Sequence, residues 1–321
     1  MIDFVGKWKW YFGISGLIIL VGIISIAVLG LSWGVDFTSG TSMTIRFEQQ
    51  VKQEELRQEL TALGHSEAII QTTGEGDFLI RTARLEPEER DPQTGEVTKP
   101  AEGTLIAEAL EQEFGPLEVT DYNDVSSTVA KEIGRNTIIA VIAGCAAIGV
   151  YITWAFRKLM RPFRYGVCAV VALIHDVIIV FGMYALIGAF YPMDIDVMFI
   201  TGILTVIGYS VNDVVVVFDR IRENTLKNPT SPLGTTINAG LNETLARSLN
   251  TGLGAIFVLL ALFLFGGATL HNFMFVLLVG IISGTYSSIA IASPLLLFWP
   301  KRGLLGFIRR AQPSQVPLRR A

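Results

Sequence analysis

Residues 199–224, FITGILTVIGYSVNDVVVVFDRIREN, restrict what this chain can fold into more than any other stretch. They are apolar enough to cross a bilayer, yet Asp213 lies among them. A carboxylate at membrane depth costs on the order of 3 kcal/mol on insertion scales, so it faces a bundle interior or a wet cavity and takes a partner there. The stretch closes on Asp219, Arg220, Arg222 and Glu223, which marks where the helix leaves the membrane. At 1.5 Å of rise per residue Asp213 lies about 10 Å from Arg220, inside the membrane but nearer that end.

Five further apolar runs accompany this one. Tyr11–Leu31 is too long for a signal-peptide core and is followed by Ser32-Trp33-Gly34 with no small-residue cleavage pattern, so it reads as an uncleaved first span anchored by Trp10 and Trp33. Thr137–Phe156, Tyr165–Phe190, Val197–Phe218, Asn250–Gly267 and Phe273–Trp299 follow. A mean hydropathy of +0.50, with 51% hydrophobic and 17% charged residues, agrees with a polytopic membrane chain. The loops alternate in charge. Lys7 and Lys9, the Arg157–Arg164 cluster, the Arg220–Arg247 connection and a tail with six basic residues fall on one side. The turn with Asp194 and Asp196 and the turn at His271 fall on the other. By the positive-inside rule both termini are expected in the cytoplasm of a bacterial cell, at its inner membrane.

Residues 34–133 are hydrophilic, with 21 acidic against 8 basic residues. Thr41–Glu48 alternates, with Met43, Ile45 and Phe47 on one face, and reads as a strand. Val51–Leu63 carries Leu56, Leu60 and Leu63 at helical spacing. Ala68–Thr72 and Phe78–Leu85 read as strands, Glu86–Gly103 as a Pro- and Gly-rich loop, Thr104–Phe114 as a helix and Leu117–Tyr122 as a last strand. The order β-α-β-β-α-β predicts a small ferredoxin-like α+β domain. The expected fold is therefore a six-helix polytopic membrane protein with one external domain: 1–33 for the N-terminus and first span, 34–133 for the domain, 134–300 for spans two to six, and 301–321 for the basic tail.

The chain carries no phosphate-binding G-x-x-x-x-G-K-[ST] loop, no metal-ligand spacing and no nucleic-acid signature, and Cys145 and Cys168 sit in apolar runs as small hydrophobes. No cofactor or metal and no enzymatic activity is expected. The chemistry is concentrated in the membrane. Asp213, with Asn212 beside it and Ser210 one turn away, reads as a proton or ion site. Low dielectric and a nearby cation act in opposite directions on such a carboxylate, so it can load and release a proton. Arg247 is either a cation snorkelling to the interface or the partner of Asp213. His175-Asp176 lies in the third span, where a relay and a structural hydrogen bond are equally open readings; adjacent residues diverge by about 100° on a helix, so only one of the two can face a given neighbour. Gly280-x-x-x-Gly284, with Ser283, Ser287 and Ser288, reads as close helix packing and nothing more.

GVDFTSGT, after the first span, resembles the G-[IV]-D-F-x-G-G-T motif of the SecF family of protein-export membrane subunits, and VIGYSVNDVVVVFDRIREN resembles that family's fourth-helix signature. Ser39 stands where the family has its second glycine. The resemblance covers nearly the whole chain. It implies functional roles for Asp213 and Arg247, and marks Gly34, Asp36, Phe37, Gly40, Thr41, Asp219 and Arg220 as motif positions. It also places the chain in the resistance-nodulation-division superfamily, whose members couple ion flow to movement of an external domain. The function it implies is an accessory of the Sec machinery that works with SecD beside a SecYEG-type channel, contacts the translocating polypeptide and membrane lipid, and uses the proton or sodium gradient. Half of a small-molecule or lipid exporter of the same superfamily is the alternative, and the small external domain argues against it. An aspartyl protease built on Asp176 and Asp213 lacks the Gly-x-Gly-Asp surroundings of that class.

The sidedness has a direct check. A cysteine at Gln93 should react with a membrane-impermeant reagent from outside intact cells and one at Ser231 should not; labelling at Ser231 from outside would reverse the orientation.

Overall fold

The computed structural model describes residues 2–298, apart from 73–75, 92, 93, 95, 160, 192 and 267. Gln93 and the basic tail expected over 301–321 lie outside the described residues. Six helices are long and apolar enough to cross a membrane. They are α1 (Trp8–Leu29), α5 (Ser127–Ala155), α6 (Phe163–Gly188), α7 (Val197–Lys227), α8 (Leu233–Phe265) and a last span that begins as α9 (Ala268–Ser287), widens into a π-turn over Ser288–Ala292 and ends as α10 (Ser293–Phe298). The polar stretch 219–248 is helical on both sides of a short turn over 228–232. Its residues prolong α7 and open α8, and Arg220 ties the two helices together by bonding Glu243 at 2.5 Å, with Asn224 joining Glu243 at 2.9 Å.

The small domain follows a four-residue helix α2 (Val35–Thr38) and has the order β1 (Gly40–Phe47), α3 (Gln53–Ala62), β2 (Ile69–Thr72), β3 (Phe78–Thr82), α4 (Glu102–Phe114) and β6 (Leu117–Val125). Between β3 and α4, where only a loop was expected, a short hairpin forms from β4 (Glu89–Arg90) and β5 (Val97–Lys99). The four-stranded sheet runs β2-β3-β1-β6, every neighbouring pair antiparallel, as the β-α-β-β-α-β order requires of a ferredoxin-like unit. Met43 and Ile45 of β1, Leu56 and Leu60 of α3, Ile80 of β3 and Leu110 of α4 are buried in one core. Leu63, expected on the same face as Leu56 and Leu60, is exposed beyond the end of α3.

In the bundle, close approaches fall at glycines. A Cβ on Gly182 would lie 2.5 Å from the backbone of Gly22, which brings α6 against α1. A Cβ on Gly280 would collide with Val206 and one on Gly284 would lie 3.0 Å from Ser210, which brings the last span against α7. Apolar clusters fill both ends of the bundle. One holds Tyr184, Phe199 and Ile203 toward the small domain, the other Phe156, Tyr165 and Phe218 away from it. Between them lies a polar layer.

The domain is fastened to the mouth of the bundle by main chain and charge. Gly34 donates its N–H to Ile195 O at 2.9 Å, and Ile195 donates to Ser32 O at 2.8 Å. Arg81 of β3 pairs with Asp194 at 2.9 Å, and Ser32 Oγ donates to the same carboxylate. Asp36 reaches the start of α7, where its Oδ2 accepts from the N–H of Val197 at 2.9 Å, while its Oδ1 accepts from Asn123 of β6. Asp196 caps the same helix by accepting from Phe199 N at 2.6 Å. Two carboxylates at the positive end of α7 satisfy donors that the helix cannot, and both sit favourably in its dipole. Burial pushes the Asp196 carboxyl up from the usual range, with Asp36 and Asp194 adding to this against the Phe199 N–H.

Gly40 has φ of +125°, and a Cβ there would lie 2.5 Å from Thr82 O, so only glycine fits. Ser39 also has a positive φ, of 65°, with ψ of 160°, a region that belongs to glycine. Such a residue costs of order 1–3 kcal/mol. Ser39→Gly should therefore stabilise the domain by about 1 kcal/mol, read from denaturant unfolding of the intact chain; an unchanged or lowered midpoint would contradict the strain. Arg81 and Asp194 are 11% and 12% exposed, so Arg81→Ala leaves a mostly buried carboxylate unpaired. Amide exchange should then quicken at Gly34 and Ile195 and stay slow along β1; unchanged exchange at the junction would show that the ion pair does not hold it.

Candidate functional site

Asp213 lies on the inward face of α7 and is 8% exposed. Ser248 of α8 donates to its Oδ1 at 2.6 Å, and Ser288, the first residue of the π-turn, donates to its Oδ2. The small side of Gly240 lets α8 close on Ile221 of α7, which carries Ser248 within reach.

Asp176, near the middle of α6, is 1% exposed and more fully solvated by protein. Ser210 of α7 donates to Oδ2 at 2.7 Å, Ser287 to the same oxygen at 2.8 Å and Ser283 to Oδ1 at 2.7 Å. His175 Nδ1 lies 3.1 Å from Oδ1. The two neighbours point different ways, as helical geometry demands: Asp176 into the α7–α9 wall, His175 toward α1. His175 Nε2 is 3.1 Å from Ser15 Oγ, Ser15 lies 3.3 Å from the Tyr286 hydroxyl, and Tyr286 donates to the carbonyl of Tyr11 at 2.9 Å. A continuous polar path thus runs from α1 to Asp176.

The last span serves both carboxylates through neighbouring residues, which diverge by about 100° on a helix, and its winding changes from Ser288 onward. Pro294 has no N–H to offer the carbonyl one turn back, and the turn upstream of it widens to the π form. Ser293 Oγ donates to the Ser288 carbonyl at 2.9 Å. Consecutive hydroxyls, Ser287 and Ser288, then address Asp176 and Asp213. Among the described residues neither carboxylate pairs with a lysine or arginine; hydroxyls do most of the work, with His175 the one basic group at hand. Hydroxyls accept as well as donate, so this surround can hold a carboxylate, a carboxylic acid or a bound monovalent cation by rotating O–H bonds.

Several expected positions fall elsewhere. Of the two readings of Arg247, the pair with Asp213 is not formed: Arg247 is exposed on the outer face of α8, and its neighbour Ser248 makes the contact instead. Asn212, adjacent to Asp213, is also on the outer, exposed face, because one residue turns the helix by about 100°. Ser210 serves Asp176 rather than Asp213. Asp219 is exposed at the end of the span and pairs with Arg222 at 2.9 Å, and Arg220 joins Glu223 and Glu243. Of the other motif positions, Gly34 and Asp36 form the junction, Gly40 lies against Thr82 of β3, Phe37 packs edge-on against Trp33 at 5.6 Å, and Thr41 Oγ1 donates to Asp124 and accepts from Leu85 N. The serines of the last span, read from sequence as packing residues alone, supply three of the five hydroxyls that meet the two carboxylates. The available signal was Ser283 and Ser287, one helical turn apart on the face that carries Gly280 and Gly284.

Residues 106–302 match the family model described as protein export membrane protein SecD/SecF, C-terminal, and residues 24–51 match the SecD/SecF GG motif. The protein translocase subunit SecF of Thermobaculum terrenum is 40% identical over 98% of this chain and 99% of its own length. That of Anaerolinea thermophila is 36% identical over 98% of this chain and 100% of its own. The crystal structure of SecDF, a translocon-associated membrane protein from Thermus thermophilus, superposes with a TM-score of 0.79 at 31% identity over 93% of this chain; the match spans 38% of that longer chain. The chain belongs to the SecD/SecF family of protein-export membrane proteins, as a SecF-type translocase subunit.

Proposed function

We propose that this subunit uses the proton or sodium gradient to promote translocation of secretory proteins, with Asp213 as the carboxylate that loads and releases the ion. The observation that carries this reading is a carboxylate deep in a membrane bundle, met by two hydroxyls and by no lysine or arginine of its own chain among the described residues. Such a charge is neutralised by an ion that comes and goes at lower cost than by permanent exposure to the bilayer. Asp213 rides on α7, whose first turn is held by Asp36 and by the junction to the small domain, so a change of charge at Asp213 has a rigid route to that domain.

The partner in this reading is SecD. The SecDF chain that this one resembles is continuous and more than twice as long as the matched part, so the larger share of it lies beyond the match. Arg247 supports the partnership. A guanidinium one residue before Ser248, on the outer face of α8, calls for a carboxylate from a neighbouring subunit or for the interface. The small domain stands on the outer side of the bacterial inner membrane, both termini are cytoplasmic, and the translocating chain and a SecYEG-type channel are its working surroundings. The loop charges support this sidedness. ATP is not used by this subunit.

The test is translocation of a secretory precursor into membrane vesicles, with ATP saturating, with and without an imposed ion gradient. Asp213→Asn keeps the shape and one acceptor oxygen, its NH2 facing the other serine, which turns to accept, and should remove the gradient-dependent increment while leaving the ATP-dependent rate. Arg247→Met should lose most of the same increment. Asp219→Asn, at the water boundary, should retain it. Full retention by Asp213→Asn would make that carboxylate structural.

A further inference from the structure

The function just proposed leaves the better-built carboxylate of the pair without a role. Asp176 is enclosed by four helices: its own, α7 through Ser210, the last span through Ser283 and Ser287, and α1 through the His175–Ser15 contact. Apolar clusters pack above and below this layer. A layer whose only task was to hold helices together is met as well by apolar side chains, since buried charge is weak evidence for stability. Three hydroxyl oxygens converging on both oxygens of one carboxylate instead make a compact oxygen-rich set, the donor chemistry that hard monovalent cations and protons take. The site also shares two walls with Asp213. Ser210 and Asp213 lie one turn apart on α7, and Ser287 and Ser288 are consecutive on the last span. At low dielectric, two negative charges so placed oppose each other strongly, and neutralising one changes the other's affinity for a cation.

We propose that Asp176 is a second monovalent-cation site, taking a proton or a sodium ion between its carboxylate and the hydroxyls of Ser210, Ser283 and Ser287, and loaded in alternation with Asp213. It rests on the reading of Asp213 as an ion-carrying group. A proton arrives on a carboxylate oxygen and makes a carboxylic O–H, and one serine that donated to that oxygen turns to accept. A sodium ion arrives whole; the serine O–H bonds rotate outward and their oxygens face the ion. The titratable groups around Asp176 are His175 on its own helix, Asp213 on α7 and, behind Ser15, Tyr286 on the last span; α1 contributes Ser15 and no charge at this level. The charged residues of α5, Lys131, Glu132 and Arg135, lie in its first turns at the domain end.

Infrared difference spectroscopy on the full chain in lipid nanodiscs reads this directly. One arm subtracts neutral from acidic pH, the other subtracts potassium from sodium at neutral pH. The expected result is two carboxyl signals in one of the arms, one lost in Asp213→Asn and the other lost in Asp176→Asn. A carboxylic C=O band in the acid arm assigns the proton, and a displaced carboxylate band in the sodium arm assigns sodium. If Asp176→Asn gives the wild-type spectrum in both arms, Asp176 does not change its occupancy and the proposal is wrong. Ser287→Ala guards against a misfolded Asp176→Asn protein. It keeps the carboxylate and removes one hydroxyl, so the signal assigned to Asp176 should move in frequency; an unmoved spectrum would equally overturn the proposal. Failure here leaves the Asp213 signal and the gradient-dependent export increment in place, whereas failure of the Asp213 reading removes those instead.

Discussion

A carboxylate surrounded by lipid-facing helices is tolerable only where donors have been brought to it, and here the donors are serine hydroxyls from three helices. Ser248 and Ser288 serve Asp213; Ser210, Ser283 and Ser287 serve Asp176. The packing around them follows from that need. Hydroxyl side chains are short, so the helices must approach closely, and glycines stand where they do: Gly284 against Ser210, Gly280 against Val206, Gly240 against Ile221. The π-turn over Ser288–Ala292 starts at this point, where the adjacent hydroxyls of Ser287 and Ser288 meet carboxylates on two different helices.

α7 links this layer to the rest of the molecule. Its first turn is capped by Asp196 and by Asp36 from the segment that leads into the small domain. Its middle carries Ser210 and Asp213. Its far end, prolonged beyond the span, is tied to α8 by Arg220 and Glu243. The small domain rests on the same helix start through Arg81 and Asp194. In the proposed mechanism a shift of α7 is carried to both ends, and its hold on the domain is polar, made of main-chain hydrogen bonds, the Asp36 cap and the Arg81–Asp194 pair.

The architecture was legible in the sequence because bilayers and sheets impose simple periods. Six apolar runs and their flanking charges mark the spans, and the alternation of Met43 and Ile45 together with the spacing of Leu56 and Leu60 marks the domain core. The site was legible only in its acids. A lone aspartate in an apolar run announces itself, and a serine in such a run does not, because serine is also what close helix packing selects. That ambiguity hid Ser283, Ser287 and Ser288. Charge was misleading at Arg247: opposite sign and similar depth suggested a pair with Asp213, but depth says nothing of azimuth, and the helix turns Ser248 inward instead. Asn212 failed for the same reason. The hairpin within residues 86–103 escaped because its strands are too short for any period to register.

In the proposed mechanism the charge on Asp213 sets the position of the small domain through α7. Spin labels at Asp121 in the domain and at Tyr151 on α5, read by pulsed electron resonance with the protein in nanodiscs, measure that position. The account predicts two distance populations whose ratio shifts as the coupling ion is supplied or withdrawn, and one population, insensitive to the ion, in Asp213→Asn. The same ion-dependent shift in Asp213→Asn as in the unaltered chain would contradict it.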